Sequence, residues 1–330
     1  MVSTDAAPIS IRKGMPDRYV GLLAMLASVT GYSFLPVFTA KLLDLGVEPT
    51  EIGLWRYALT VPIFWLLAWF AARTARARSQ SPARPLPRVR LLGIGVLLAM
   101  AALCAFFGLQ RISAGTYVVI FYTYPAFTAL IALTLGDRLS GWGWVALGLT
   151  LIGVMLSVPD FSEGLAGGNA IGVLAALLNA FLVAVIFTLN ARILKGQPNR
   201  ARAAAFMTSG ALMTLTVIGL LSGARLPTQP EAWLYLIAMA VISTVMPIFA
   251  TYVGLQRLGA TRAAILGSVE PVLTSLIAAT FIGQVMAPIQ WLGGLVIVAS
   301  VVLLETLGSR KASHSDLAEL GRDPVASELP

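Results

Sequence analysis

Ten stretches of the chain are almost wholly apolar, and each is about as long as a bilayer core is thick. They fall at 20–40, 52–72, 91–109, 112–135 and 142–158, then at 170–190, 203–222, 232–254, 260–282 and 288–305. A helix needs about 20 apolar residues to cross ~30 Å of hydrocarbon, a barrel strand only about 10, and open sheet would leave backbone groups unsatisfied in lipid. The pattern predicts an all-α integral membrane protein of ten transmembrane helices. Most polar stretches between the runs are short; Arg73–Arg90, rich in Arg, Pro and Ser, is a longer loop. Residues 1–17 read as a cytoplasmic tail and 307–330 as a disordered cytoplasmic tail. The first apolar run is too long for the apolar stretch of an ordinary cleaved signal peptide and reads as a retained span.

Composition agrees with the pattern. At 58% hydrophobic, 12% charged and a mean hydropathy of +0.84, the chain carries about half the charge of an ordinary soluble domain. The net charge of +8 could suggest a nucleic-acid partner, but its placement argues for a membrane surface instead. With ten spans, 19 of the 23 Lys and Arg residues fall on the side of both termini. These include Arg12, Lys13, Arg78, Arg84, Arg138, Lys195, Arg262 and Arg310. Only Lys41, Arg111 and Arg225 fall opposite, among Asp44, Glu48, Glu51, Asp160 and Glu163, while Arg56 lies within a span. The positive-inside rule then puts both termini in the cytoplasm of a multi-pass cell (inner) membrane protein. The Arg-rich loop faces anionic lipid. A single Cys (Cys104) and a single His (His314, in the polar tail) exclude a disulfide framework, a Cys-type zinc site and most His-based catalysis. No metal, cofactor or nucleic-acid partner is expected. Gly164–Gly168 is a polar outer loop and not a phosphate cradle, because no strand-to-helix context surrounds it.

The chain also repeats itself. Gly108-Leu109-Gln110-Arg111 recurs as Gly254-Leu255-Gln256-Arg257, an offset of 146 that also pairs Ala114 with Ala260, Pro125 with Pro271, Thr128 with Thr274 and Gly148 with Gly294. Earlier in each half the offset is about 151, pairing Gly21 with Gly172. The halves, 18–158 and 169–306, hold five spans each. An odd number makes the second half enter from the opposite side, giving two inverted-topology five-helix repeats with a substrate site between them near the midplane.

The segment Phe107-Gly108-Leu109-Gln110-Arg111-Ile112-Ser113-Ala114-Gly115, with Tyr124-Pro125-Ala126-Phe127-Thr128-Ala129 and Gly136-Asp137-Arg138-Leu139, resembles the EamA family of the drug/metabolite transporter superfamily. Gly31-Tyr32-Ser33-Phe34, Trp55-Arg56-Tyr57, Glu270-Pro271-Val272 and Gly283-Gln284 extend the resemblance over about residues 18–306. Thr30 stands where that family usually has Trp, Asp137 where it has Glu, and Gln284 where it has an acid. The resemblance implies the ten-helix inverted fold and export of amino acids, other metabolites or drugs.

A charge inside a span is expensive and is a functional candidate. Glu270 lies ten residues after Ala260, about 15 Å into a ~30 Å core. Ionisation there is costly unless a cation or several donors compensate, so the group can exchange protons, hydrogen-bond a polar substrate, or serve as a structural acid near Pro271. Arg56, one turn inside its span, can grip a carboxylate or phosphate bidentately, or snorkel to headgroups beside Trp55 and Tyr57. Tyr117, Phe121, Tyr124 and Thr128 share one helical face. The 146 offset carries that face onto Ala263, Gly267, Glu270 and Thr274. Under the earlier offset of about 151, Ser28, Tyr32 and Thr39 correspond to Asn179, Val183 and Asn190. Such recurrence fits walls of a shared cavity, and it also fits helix packing by small and polar residues. Pro36, Pro62, Pro125, Pro247 and Pro271 can break or kink their helices.

The reading that follows is a non-enzymatic transporter exporting small metabolites, such as amino acids or their derivatives, by alternating access. The substrate-binding candidates are Tyr32, Arg56, Tyr117, Tyr124, Asn179, Glu270 and Thr274, with Glu270 also the proton-coupling candidate. Its partners are the small-molecule substrate, membrane lipids and protons, and it works as a monomer or homodimer. The alternatives are a multidrug carrier for lipophilic cations and a non-transporting membrane scaffold.

Overall fold

The computed structural model describes residues 17–77, 86–135, 140–157, 168–193, 200–258, 266, 267, 269–284, 286–303, 306 and 307. Expectations resting on the amino tail through residue 16, Arg78, Arg84, Gly136–Leu139, Asp160, Glu163, residues 164–167, Lys195, Ala260–Ala263 and the carboxyl tail from 308, with His314, lie outside the described residues.

The apolar runs form helices and no strand among the described residues: α1 (Asp17–Ser33), α2 (Leu35–Asp44), α3 (Pro49–Ala77), α4 (Arg88–Leu109), α5 (Ala114–Phe121), α6 (Tyr124–Thr134) and α7 (Gly141–Ser157). The second half supplies α8 (Gly168–Ile193), α9 (Arg200–Ser222), α10 (Pro230–Ala240), α11 (Met246–Leu258), α12 (Glu270–Ile282) and α13 (Pro288–Leu303), with a π-helical turn, Val241–Val245, joining α10 to α11. Among the described residues, seven helical segments are long and apolar enough to cross a membrane, counting α1–α2, α5–α6 and α10–α11 as single crossings. Gly141–Leu156, Glu270–Ile282 and Pro288–Leu303 are shorter apolar helices. Several helices outrun their apolar stretches because long cationic side chains can lie back along the helix. At the end of α3, the Arg73 guanidinium carbon sits 3.7 Å from the centroid of the Trp69 ring.

Of Pro36, Pro62, Pro125, Pro247 and Pro271, four coincide with irregularities. Proline has no N–H and clashes with the preceding turn. A turn at Phe34 separates α1 from α2 before Pro36, Tyr122–Thr123 separate α5 from α6 before Pro125, and the π turn precedes Pro247. Pro271 is the second residue of α12. Pro62 lies inside an unbroken α3.

Helix packing follows small residues, as expected where lipid offers no hydrophobic drive between helices. Helix α1 packs on α11, and α4 on α8. A Cβ added at Gly254 would lie 3.6 Å from the Gly21 carbonyl oxygen, and one at Gly108 would lie 3.5 Å from that of Gly172. Helices α3 and α4 both pack against α9, and α7 against α13. Phe64, Leu91 and Ile94 fill one end of the interior with Ala203 and Ala205; Ile52, Phe106, Leu215, Leu236 and Met239 fill another part. Leu151, Leu174, Leu220 and Leu221 point outward. Such a sheath would be a liability in water and is the normal surface of a protein in lipid.

Candidate functional site

Among the described residues, the cation Arg56 and the acid Glu270 turn inward, each beside one of the irregularities. Arg56, on the second turn of α3, is 8% exposed. Its Nε donates to Thr244 Oγ1 at 2.8 Å, and its guanidinium carbon lies 5.5 Å from the Tyr57 ring centroid and 5.8 Å from that of Phe106. The Thr244 hydroxyl donates its own proton to Met239 O at 3.0 Å, which leaves a lone pair for Arg56. Thr244 belongs to the π turn, whose wider register offsets it from an α-helical row. Arg56 therefore does not snorkel to headgroups. Trp55 and Tyr57 do not form a simple interfacial belt either: Trp55 Nε1 donates to the Arg225 carbonyl at 3.0 Å, and Tyr57 is buried. Among the described residues no carboxylate pairs with Arg56.

Glu270 opens α12 at the second irregularity. Its Oε2 lies 2.9 Å from the hydroxyl oxygen of Tyr122, which itself donates to Gly267 O at 2.6 Å. Tyr122 comes from the turn between α5 and α6, so the break before Pro125 and the break before Pro271 meet through one phenol. Tyr124 meets it edge to face, ring centroids 5.7 Å apart, and also packs on Phe121 and Phe187. Tyr32, on α1, lies within electrostatic reach of both Arg56 and Tyr122.

The remaining candidates divide. Asn179 donates its side-chain amide to the Tyr117 hydroxyl, and both are buried. Thr274, one turn after Glu270, is fully buried, and its hydroxyl has no partner among the described residues. The Asn190 side-chain carbonyl is likewise buried and unpartnered there. Ser28 instead bonds Thr251 and the Pro247 carbonyl, while Thr39 and Thr128 bond back to their own helices. The expected continuous face through Tyr117, Phe121, Tyr124 and Thr128 is interrupted by the Tyr122–Thr123 turn. The rings still follow one another, at 6.4 Å for Tyr117–Phe121 and 5.4 Å for Phe121–Tyr124.

Tyr122, Gly267 and Thr244 were absent from the sequence reading as partners. One signal was available: the carbonyl four residues before a proline lacks its helical donor, and for Pro271 that residue is Gly267. Nothing in the spacing shows which helix supplies the replacement. Gln284, the departure from an acid, accepts from the Ala114 N–H at 2.7 Å and so caps α5 without a charge.

A multi-pass helical chain with a buried polar interior is the class these features define, and its relatives make that specific. The chain belongs to the EamA-like transporter family, whose model matches residues 19–158 and again 170–306. It is similar to the uncharacterized transporter YcbK of Bacillus subtilis (strain 168), 25% identical over 281 residues that cover 83% of this chain and 88% of that one. The uncharacterized inner membrane transporter YedA of Escherichia coli (strain K12) is 25% identical over 235 residues, 71% of this chain and 75% of its own. A solved crystal structure superposes with a TM-score of 0.60 over 89% of this chain and 99% of its own, at 18% identity, a likeness of fold. The chain is a membrane transporter by family.

Proposed function

We propose that this transporter exports small metabolites, amino acids or their derivatives among them, by alternating access of two inverted five-helix repeats, residues 18–158 and 169–306, with both termini cytoplasmic. The repeat reading is supported by the matching close approaches of Gly21 to Gly254 and of Gly172 to Gly108, positions that the two offsets exchange. Irregular backbone inside a membrane is tolerated where it lines a cavity or is buried in protein, and broken helices at the midplane are a transporter's way of exposing polar groups to cargo. In this reading Tyr32, Arg56, Tyr117, Tyr124, Asn179, Glu270 and Thr274 contribute to the substrate path, and Glu270 couples it to protons.

Arg56 carries the argument about cargo. A buried guanidinium without a carboxylate partner among the described residues is costly, and a cargo carboxylate would offset that cost through paired charge-assisted bonds. An anionic or zwitterionic metabolite fits this better than a lipophilic cation, which the same charge repels. Efflux from loaded proteoliposomes, with a panel of amino acids, organic acids and cationic dyes, tests the reading. Carboxylate-bearing solutes should leave faster than from protein-free vesicles. Export confined to the dyes would favour the multidrug alternative, and no export of any solute would favour a scaffold.

A further inference from the structure

Pro271 carries no N–H, so the carbonyl of Gly267 lacks the donor an unbroken helix would supply. The Tyr122 hydroxyl stands in for it, 2.6 Å from that oxygen, while remaining 2.9 Å from Glu270 Oε2. A phenol has one proton, and a backbone carbonyl can only accept. With the phenol proton committed to Gly267, the phenol oxygen presents a lone pair to Glu270. The 2.9 Å contact is then a hydrogen bond only when Glu270 brings the proton. A neutral carboxyl thus completes a one-way chain: Glu270 O–H donates to Tyr122, and Tyr122 O–H donates to Gly267 C=O.

An ionised Glu270 cannot play that part. It has only lone pairs, so it draws the phenol proton to itself in a charge-assisted bond, and the Gly267 carbonyl is left open at the break. The titratable groups facing this pair are Tyr124, from the start of α6, and Tyr32, from α1. Among the described residues no cation bonds to Glu270 or to Tyr122. The pair therefore has two hydrogen-bond arrangements, separated by one proton.

We propose that Tyr122 is a positioning residue that ties the helix break before Pro271 to the protonation of Glu270. The break is capped while the acid is neutral and released when the acid gives its proton to water on the open side. The inference rests on the reading of Glu270 as the proton-coupling group. It adds that proton release alters the backbone of the helix entering at Glu270 as well as the charge in the site.

Amide hydrogen exchange on the full-length protein in lipid nanodiscs tests this, following peptides across 266–275 over a pH series and correcting for intrinsic exchange rates. In the parent, corrected exchange at the break should rise with pH by about two- to tenfold, the opening expected from one lost hydrogen bond. In Glu270→Gln the amide donates to Tyr122 at every pH, and exchange should stay at the low parent level. In Tyr122→Phe the carbonyl has no donor at any pH, and exchange should stay high and flat. Unchanged exchange across 88–109 and 200–222 identifies a folded variant. A parent-like pH rise in folded Tyr122→Phe, or in Glu270→Gln, overturns the proposal. The reading it rests on fails separately, if Glu270→Gln still exports against a pH gradient like the parent.

Discussion

Arg56 is buried and Glu270 half-buried between membrane helices, yet their surroundings treat these two ionisable groups in opposite ways. Arg56 bonds to a hydroxyl whose proton is already committed to Met239 O, so the partner can only accept and the guanidinium is held as a fixed cation. Glu270 meets a hydroxyl that also faces Gly267 O, so the partner can accept from a neutral acid or donate to an ionised one. Each arrangement is built on a proline-associated irregularity, the π turn before Pro247 and the break before Pro271. On the proposed reading, two hydroxyls in similar settings serve a permanent charge in one place and a switchable one in the other.

Substitution at Arg56 should have the largest effect. Arg56→Leu should lower efflux of carboxylate-bearing solutes on the order of a hundredfold, the loss of two charge-assisted bonds. Thermal stability in detergent should hold or rise, because an uncompensated buried charge is removed. Arg56→Lys keeps the charge without the planar fork and should fall between the two. A stable Arg56→Leu protein that exports normally would make the cation structural. Thr244→Val removes the acceptor that aims Arg56 and the donor to Met239 O; efflux should drop by about tenfold and stability by about 1–2 kcal/mol. A smaller effect is expected for Tyr117 and Asn179, which satisfy each other. A double-mutant cycle with Tyr117→Phe and Asn179→Leu should give a coupling of about 1 kcal/mol in melting experiments, with no change in pH dependence. The smallest belongs to Gln284→Leu, which leaves the Ala114 N–H without its acceptor while Ser113 still caps α5: about 1 kcal/mol of stability at unaltered efflux.

The all-helical, membrane-spanning character of the fold was legible because hydropathy is a property of single segments. The offset that pairs Gly21 with Gly172 says nothing of their partners; Gly254 and Gly108 emerge as those only in the packed helices. The site was less legible because its contacts depend on cross-helix register. The face running through Tyr117, Phe121 and Tyr124 follows from an unbroken helix, and Pro125 breaks it, swinging Tyr122 toward Glu270 instead. Thr244 belongs to no α-helical row, because the π turn shifts it out of register. Arg56 could point outward or inward on spacing alone; the neighbour on another helix that decides it is 188 positions away in the chain.

The most direct test of the account is efflux by Glu270→Gln in proteoliposomes, with and without an imposed pH gradient. The variant keeps the size and hydrogen bonding of the acid but cannot release a proton. Gradient-driven export should vanish while downhill exchange and expression stay near the parent's. Parent-like, gradient-driven export by the Gln variant across a range of pH would make Glu270 a structural group and contradict the account.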